Sequence, residues 1–427
     1  MTAIAVAAAV AGLLVVAGVA FGLGGFGRTR HRAPSVGARM ALMGVEVASV
    51  YRGDLSVTDA ATGTSVVVAR GPYQRNLGSA IQDPGFSPDG RFVAYMESAG
   101  SSSELHVVAL GGGRTITVSH ALSYTWSPTD DDLAVSLASE VKLISAEGTS
   151  LHRWVIADPL AELFSPSGKR IAVASSGLRS GRGYLRLLPV GTGPERLIRQ
   201  PGCDEPAGWT ADGSHLLFWR DEDCSASIGA DGLPLDSIAT GGFGTSSTGG
   251  GRSRIVSVAG TLPYSRWVVP VSGDTVLVNS GGDRVAADHK TLQWCSAATG
   301  AGKSLPSPAG TATLDPAVAT RDRLFEVRVS QSNAMNDFLP HGTLWMSTTT
   351  GRHAHELTSA GTGVADPIPT ADGSKLLFVR TPSTGSAKVE VLTIHTGVVR
   401  AIAAIDLADY YGEFMAPEVL AVWQPSK

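Results

Sequence analysis

The 427-residue sequence is poor in cysteine, in clustered basic residues and in helical patterning, and each shortage removes a class of protein. There are three cysteines, Cys203, Cys224 and Cys295. None forms a CxxC pair, so the zinc and thiol-redox motifs are missing, and three are too few to staple a small scaffold. Beyond Arg28, Arg30, His31 and Arg32 there is no Lys/Arg cluster, and the net charge is −4. The electrostatic footprint of a nucleic-acid binder is absent, and no nucleic-acid partner is expected. After residue 40 no long apolar pattern of period 3.6 appears, which leaves few helices. No G-x-S-x-G nucleophile elbow occurs, which removes the serine hydrolases built on it.

Glycine, by contrast, is abundant at 51 residues and sits among Ser, Thr and Asp at intervals. The stretch Thr-Ala-Asp-Gly-Ser-x-Leu-Leu-Phe occurs at Thr210–Phe218 and again at Thr370–Phe378. Looser copies are FSPDGRFVAY at Phe86–Tyr95, WSPTDDDLAV at Trp126–Val135 and FSPSGKRIAV at Phe164–Val173. Each reads as a strand ended by an aromatic residue, a tight turn and a return strand. In the turns an Asp (Asp89, Asp212, Asp372) caps the backbone through its side chain. A Gly (Gly90, Gly168, Gly213, Gly373) takes the φ > 0 position.

The residues before the turns, Phe86, Trp126, Phe164 and Trp209, are 40, 38 and 45 residues apart, the period of propeller blades. Two degenerate copies, Val269–Gly273 with Thr275–Val278 and Val318–Asp322 with Leu324–Val327, fill the gap before Pro369. Second strand pairs follow at Glu104–Val118, Gly342–Leu357 and Lys388–Ile402, giving four strands per unit. The expected fold is an all-β propeller of four-stranded blades: eight, or seven if one degenerate copy is only a loop. Asp54–Ala69 reads as the outer half of a blade and Phe414–Trp423 as an inner hairpin, so the two ends are expected to close the ring as one hybrid blade. The insertion Cys224–Arg254, with its Gly-rich run Gly241–Gly251, reads as a flexible loop.

Residues 3–26 carry no charge and are long enough to cross a hydrocarbon core, so 1–27 is read as a transmembrane or signal-anchor helix and 28–40 as a linker to a propeller over 41–427. A signal peptide cut after Ala20 is the competing reading. The basic cluster after this segment favours a cytoplasmic propeller by the positive-inside rule. A possible disulfide favours the opposite. If Thr210 pairs with His215, Cys203 comes within about two positions of facing Cys224 across the hairpin; the alternative is two buried free thiols. Cys295 reads as a small core residue.

The turn motif resembles the WD-like repeat of the TolB family, an aromatic-Ser-Pro-Asp-Gly-Lys/Arg turn followed by an Ile-Ala-Phe-type strand. Phe86-Ser87-Pro88-Asp89-Gly90-Arg91 matches it in full and Phe164-Ser165-Pro166-Ser167-Gly168-Lys169 nearly so. The resemblance implies an extracytoplasmic, protein-binding role in the cell envelope, and with the cysteine pair it tips the expected location outward.

Chemistry is sparse. Asp130-Asp131-Asp132 lacks calcium-loop spacing and reads as a solvated turn. His353 and His355 lie on one face of an expected outer strand without a third ligand. No catalytic, cofactor or metal residues are assigned. Two functions are carried forward. One is a membrane-tethered, extracytoplasmic, non-catalytic propeller binding a protein or cell-envelope ligand. The alternative is a propeller enzyme, hydrolase or lyase, with its site in the central channel.

Overall fold

The computed structural model describes residues 44–74, 78–99, 102–175, 183–199, 204–219, 243–250, 253–256, 268–280, 290–305, 307–320, 322–330, 342–359, 363–381, 386–406 and 420–425. Among them are eight four-stranded antiparallel sheets, each running in chain order from one edge to the other except at the join of the two ends. We number them blades 1 to 8. Blades 2, 3 and 4 span Ile81–Ser119, Ser123–Val155 and Pro159–Arg199; blades 5, 6, 7 and 8 span Glu205–Val256, Val268–Ser304, Thr311–Glu356 and Gly363–Ile405. First strands lie against the first strands of neighbouring blades, so they form the inner wall and the fourth strands the circumference. Both degenerate copies are true blades, 6 and 7, which sets the count at eight. The described residues contain no helix, and none is long and apolar enough to cross a membrane; residues 3–26 lie outside them.

The ring closes differently from the sequence expectation. Blade 1 takes three strands from the N-terminal side, Glu46–Tyr51, Asp54–Asp59 and Ser65–Arg70, and one from the C-terminal side, Leu420–Trp423. The second strand, expected within Phe414–Trp423, is Glu46–Tyr51, joined to the third by Arg52-Gly53 with both φ positive (50° and 85°). That is the two-residue hairpin turn whose twist matches its strands. Closure is therefore three strands plus one. The C-terminal strand is fastened on both sides: Trp423 Nε1 donates to Pro88 O of blade 2 at 2.9 Å, and Gln424 Nε2 donates to Pro369 O of blade 8 at 3.0 Å while its Oε1 accepts from Ala371 N at 2.7 Å.

A second correction concerns the Gly-rich run. Phe243–Ser247, inside the stretch read as loop, is the third strand of blade 5, and Arg254–Val256 is its outermost strand. Gly244 stands opposite Phe218, and a Cβ there would come within 2.3 Å of the Phe218 ring. Glycine here makes room for an aromatic ring rather than flexibility. Residues 220–242 lie outside the described set.

The core sits between blades. Second strands such as Ile171–Ser175 and Phe92–Met96 are buried on both faces because each sheet is sandwiched by its neighbours. Phe218 and Phe378 are fully buried at equivalent second-strand positions against the preceding blade, and Phe325 is fully buried against the following one. Burying each contributes roughly 2–3 kcal/mol.

Candidate functional site

Antiparallel order separates two rims. One carries the turns between first and second strands and between third and fourth. The other carries the second-to-third connections and the links between blades.

On the turn rim one geometry repeats. Phe86, Trp126, Phe164, Trp209 and Pro369 pair with Val93, Leu133, Ile171, Leu216 and Leu376. In four turns the Ser or Thr hydroxyl oxygen accepts the returning backbone N–H: Ser87 from Phe92 (3.0 Å), Ser165 from Arg170 (3.1 Å), Thr210 from His215 (3.0 Å) and Thr370 from Lys375 (3.0 Å). The same hydroxyl donates to the Asp: Ser87 to Asp89 (2.8 Å), Thr210 to Asp212 (2.7 Å) and Thr370 to Asp372 (2.6 Å). Each Asp also accepts the backbone N–H two residues on, from Arg91, Ser214 and Ser374. Gly90, Gly168, Gly213 and Gly373 have φ of 72°, 69°, 68° and 66°. The Ser214 backbone N–H, then the Ser214 and Thr210 hydroxyls, hold the Asp212 carboxyl below its ordinary range; Thr370 and then Ser374 do the same for Asp372. These carboxylates are fully engaged in their own turns.

The remaining sequence candidates do not gather. Cys203 and Cys224 lie outside the described residues. Cys295 is a free, buried thiol whose pKa burial pushes up to about 12. His353 has φ 56° and stands before the outermost strand of blade 7, His355 is within it, and both are exposed. Among the described residues no three His, Cys, Asp or Glu side chains are placed to hold a metal.

The opposite end of the inner wall carries a feature that the sequence reading passed over. Asp83, Asp158, Asp315 and Asp366 each precede a proline, and each adopts a left-handed backbone with φ of 48°, 50°, 47° and 49°. A bulge follows in every first strand concerned. Asp83 and Asp366 stand three residues before the end of their strands, and Asp315 stands three before Val318, which pairs with Leu324 two residues short of its strand's end. Asp315 and Asp366 are buried, and Asp315 Oδ2 accepts from the Asp366 backbone N–H of the next blade at 3.4 Å. Asp83 is exposed to water, yet protein crowds it closely enough that desolvation raises its carboxyl to about 6. Tyr124 of blade 3 donates to Asp83 O at 2.6 Å and to Ala94 O at 3.0 Å.

One residue further into blade 4's strand pattern, Glu162 reaches back to blade 3 as Tyr124 reaches back to blade 2. Its Oε2 accepts from Ser123 (2.7 Å) and Ser136 (2.6 Å), and Oε1 has no hydrogen-bond partner among the described residues. Ser123 occupies the strand position that carries Asp in blades 2, 7 and 8, so Glu162 supplies a carboxyl at a level where blade 3 has none. Burial raises it to about 7 against the pull of the two hydroxyls. The recurrent Asp-Pro dipeptide was the available sequence signal; nothing local marked Glu162.

At the turn-rim mouth, a cavity of about 570 Å³ lies among Val318, Ala319, Thr370, Ala371, Val422 and Pro425, at the ends of the first strands of blades 7, 8 and 1.

No protein-family model matches the chain, and no curated protein matches it. Solved structures do. A eukaryotic initiation factor aligns at 11% identity with a TM-score of 0.53, covering 89% of this chain and 89% of that one. An oligogalacturonate lyase in complex with manganese aligns at 13% identity and 0.50, covering 86% and 88%. The fold they share is the β-propeller. A structure described as TolB from Agrobacterium tumefaciens is also among the neighbours, at 13% identity and 0.38, covering 91% of this chain and 100% of that chain. The propeller spans about half the length of a prolyl endopeptidase that it also matches (51%). At these identities the likeness is one of fold.

Proposed function

We propose that the chain is a membrane-tethered, extracytoplasmic propeller that binds a protein or cell-envelope ligand on its loop rim without transforming it. The observation behind this reading is the inequality of the rims. Connections 87–91, 127–131, 165–169, 210–214 and 370–374 on one rim are uniform turns. Connections on the other are unequal, from two residues at 100–101 and 138–139 to 23 at 220–242. Variable connections on a rigid scaffold are where recognition is placed. The uncharged segment 3–26 supports the tether, and the Cys203–Cys224 spacing supports the outward side.

A second reading has one specific observation in its favour: carboxyls raised toward neutrality at the inner wall, Asp83 and Glu162, of the kind that acid–base chemistry uses. In that reading the chain is a hydrolase or lyase working from the channel.

Photo-crosslinking in intact cells separates the two. A crosslinking residue replaces Ser139, exposed on the loop rim, or Glu147, exposed on the turn rim. We expect one extracytoplasmic protein or envelope polymer to be captured from Ser139 and not from Glu147, with capture undiminished by Asp83→Asn. Equal capture from both rims, or a cytosolic partner, overturns the proposal. Loss of capture together with accumulation of an unprocessed ligand in Asp83→Asn cells favours the enzyme.

A further inference from the structure

The point at which the N-terminal side of the chain joins the ring is fixed by strand register. Glu46, the first residue of the second strand of blade 1, stands opposite Trp423, the last of the inner strand. Trp423 bonds to the Pro88 carbonyl and Gln424 to Pro369 and Ala371, so both lie among the turns that follow Phe86 and Pro369. Just upstream of Glu46, the Val45 carbonyl accepts from Ala60 N at 2.8 Å. A Cβ on Gly44 would stand 3.7 Å from Asp59 Oδ2, beside the turn between the third and fourth strands. All of these are turn-rim positions. The far end of the same strand, Tyr51, reverses through Arg52-Gly53 on the loop rim. The uncharged residues 3–26 therefore connect to the propeller on its turn rim, through residues 27–43.

We infer that the turn rim faces the membrane and the loop rim faces away from it. The inference rests on the tether proposed above and holds for either side of the membrane. With the turn rim toward the lipid, Gly44 is at the near end of its strand, and residues 27–43 have only a gap to cross. With the loop rim toward the lipid, the same residues have to run the height of a blade first. The three N-terminal strands of blade 1 have six residues each, a rise of roughly 20 Å. Holding a segment along that path costs conformational entropy for every residue ordered. The first arrangement wins without any adhesive contact between rim and lipid. None is needed, and the copied turns offer none, since their exposed side chains include the carboxylates Asp89, Asp212 and Asp372. The loop rim then stands about 20 Å or more beyond the headgroups, so its ligand reaches it from the aqueous side rather than from within the same bilayer. Asp83, exposed toward the loop-rim end of the inner wall, opens to that distal side as well.

The test uses the full-length chain reconstituted into phosphatidylcholine vesicles, with an energy-transfer acceptor on a fraction of the headgroups. These vesicles carry no net charge, so the acidic turns are neither drawn to them nor repelled. A fluorescent amino acid replaces one exposed residue at a time. Glu147 and Thr299 report from the turn rim of blades 3 and 6; Ser139 and Ala309 report from the loop rim at blade 3 and at the link from blade 6 to blade 7. Transfer is expected to be severalfold stronger from Glu147 and Thr299 than from Ser139 and Ala309. A Gly/Ser insert within residues 27–43 is expected to shrink that difference, because the reach of the tether sets it. Unchanged thermal midpoints show that the labelled chains fold. Equal transfer from both rims, stronger transfer from the loop rim, or a difference that ignores the insert overturns the inference and leaves the tether standing. A chain that does not float with the vesicles overturns the tether itself, and the orientation with it.

Discussion

The two rims of the ring are built on opposite terms. On the turn rim, five residues and a handful of hydrogen bonds are copied from blade to blade, with hydroxyl, carboxylate and glycine in fixed roles. Toward the loop rim four of the first strands carry left-handed Asp-Pro bulges, and the connections on that rim vary in length. The copied rim is a solution to one backbone problem, so it tolerates little change. The varied rim is where the chain is free to differ without unfolding.

The largest disturbance of this division comes from removing the strand that both rims rely on. Deleting residues 420–427 strips the inner strand from Glu46–Tyr51 and breaks the Trp423 and Gln424 fastenings. The truncated chain is expected to lose cooperative unfolding and become protease-sensitive. A cooperative transition at the wild-type midpoint would mean that the ring closes without it.

Next in size is a test of the copied turns. Gly168 has φ 69°, and a Cβ there would come within 2.2 Å of Thr129 Oγ1 of blade 3. Gly168→Val combines left-handed strain with overpacking and should cost about 3 kcal/mol by denaturant unfolding. Gly273, with φ 53° and nothing within 4 Å of the same position, bears the strain alone, so Gly273→Val should cost about 1–2 kcal/mol. Equal costs would mean that contact between adjacent turns adds nothing.

The smallest effect is a slope with pH. Glu162 is nearly fully buried with its carboxyl raised from 4.5 to about 7. The fold therefore favours the protonated form. The stability this lends is fully present below about pH 4.5 and is lost as pH rises through about 7, where the fold must ionise a buried group. Over that window the contribution is about 3 kcal/mol at most, and Asp83, raised to about 6, acts in the same direction. The unfolding free energy of the wild type should fall between pH 5 and pH 8, and Glu162→Gln should flatten part of that fall. An unaltered slope would remove Glu162 as its source.

Most of the architecture was legible because its signals are local. A Ser/Thr-x-Asp/Ser-Gly turn satisfies its own donors and acceptors within six residues, so Phe86, Phe164, Trp209 and Pro369 announced their hairpins without help from the rest of the chain. Closure was only half legible. That two ends share a blade follows from leftover strands, but whether Glu46–Tyr51 or a C-terminal segment fills the second place depends on pairing between the extremes of the chain. Phe243–Ser247 was hidden by composition, since glycine opposite Phe218 looks like glycine in a linker. Glu162 and the Asp-Pro bulges were hidden because their environment comes from adjacent blades.

The three-plus-one closure also sets a schedule. Glu46 finds its partner Trp423 only once every blade between them has been made. Contacts of such separation form late and slowly. Throughout synthesis the strand Glu46–Tyr51 waits with one side unpaired, while blades 2 to 8 can assemble from neighbours already in place. A chain in this condition is an open arc that can still be threaded or held by a chaperone. The emergence of Leu420–Trp423 turns the arc into a ring, so the time at which the propeller becomes committed to its shape is set by that one strand.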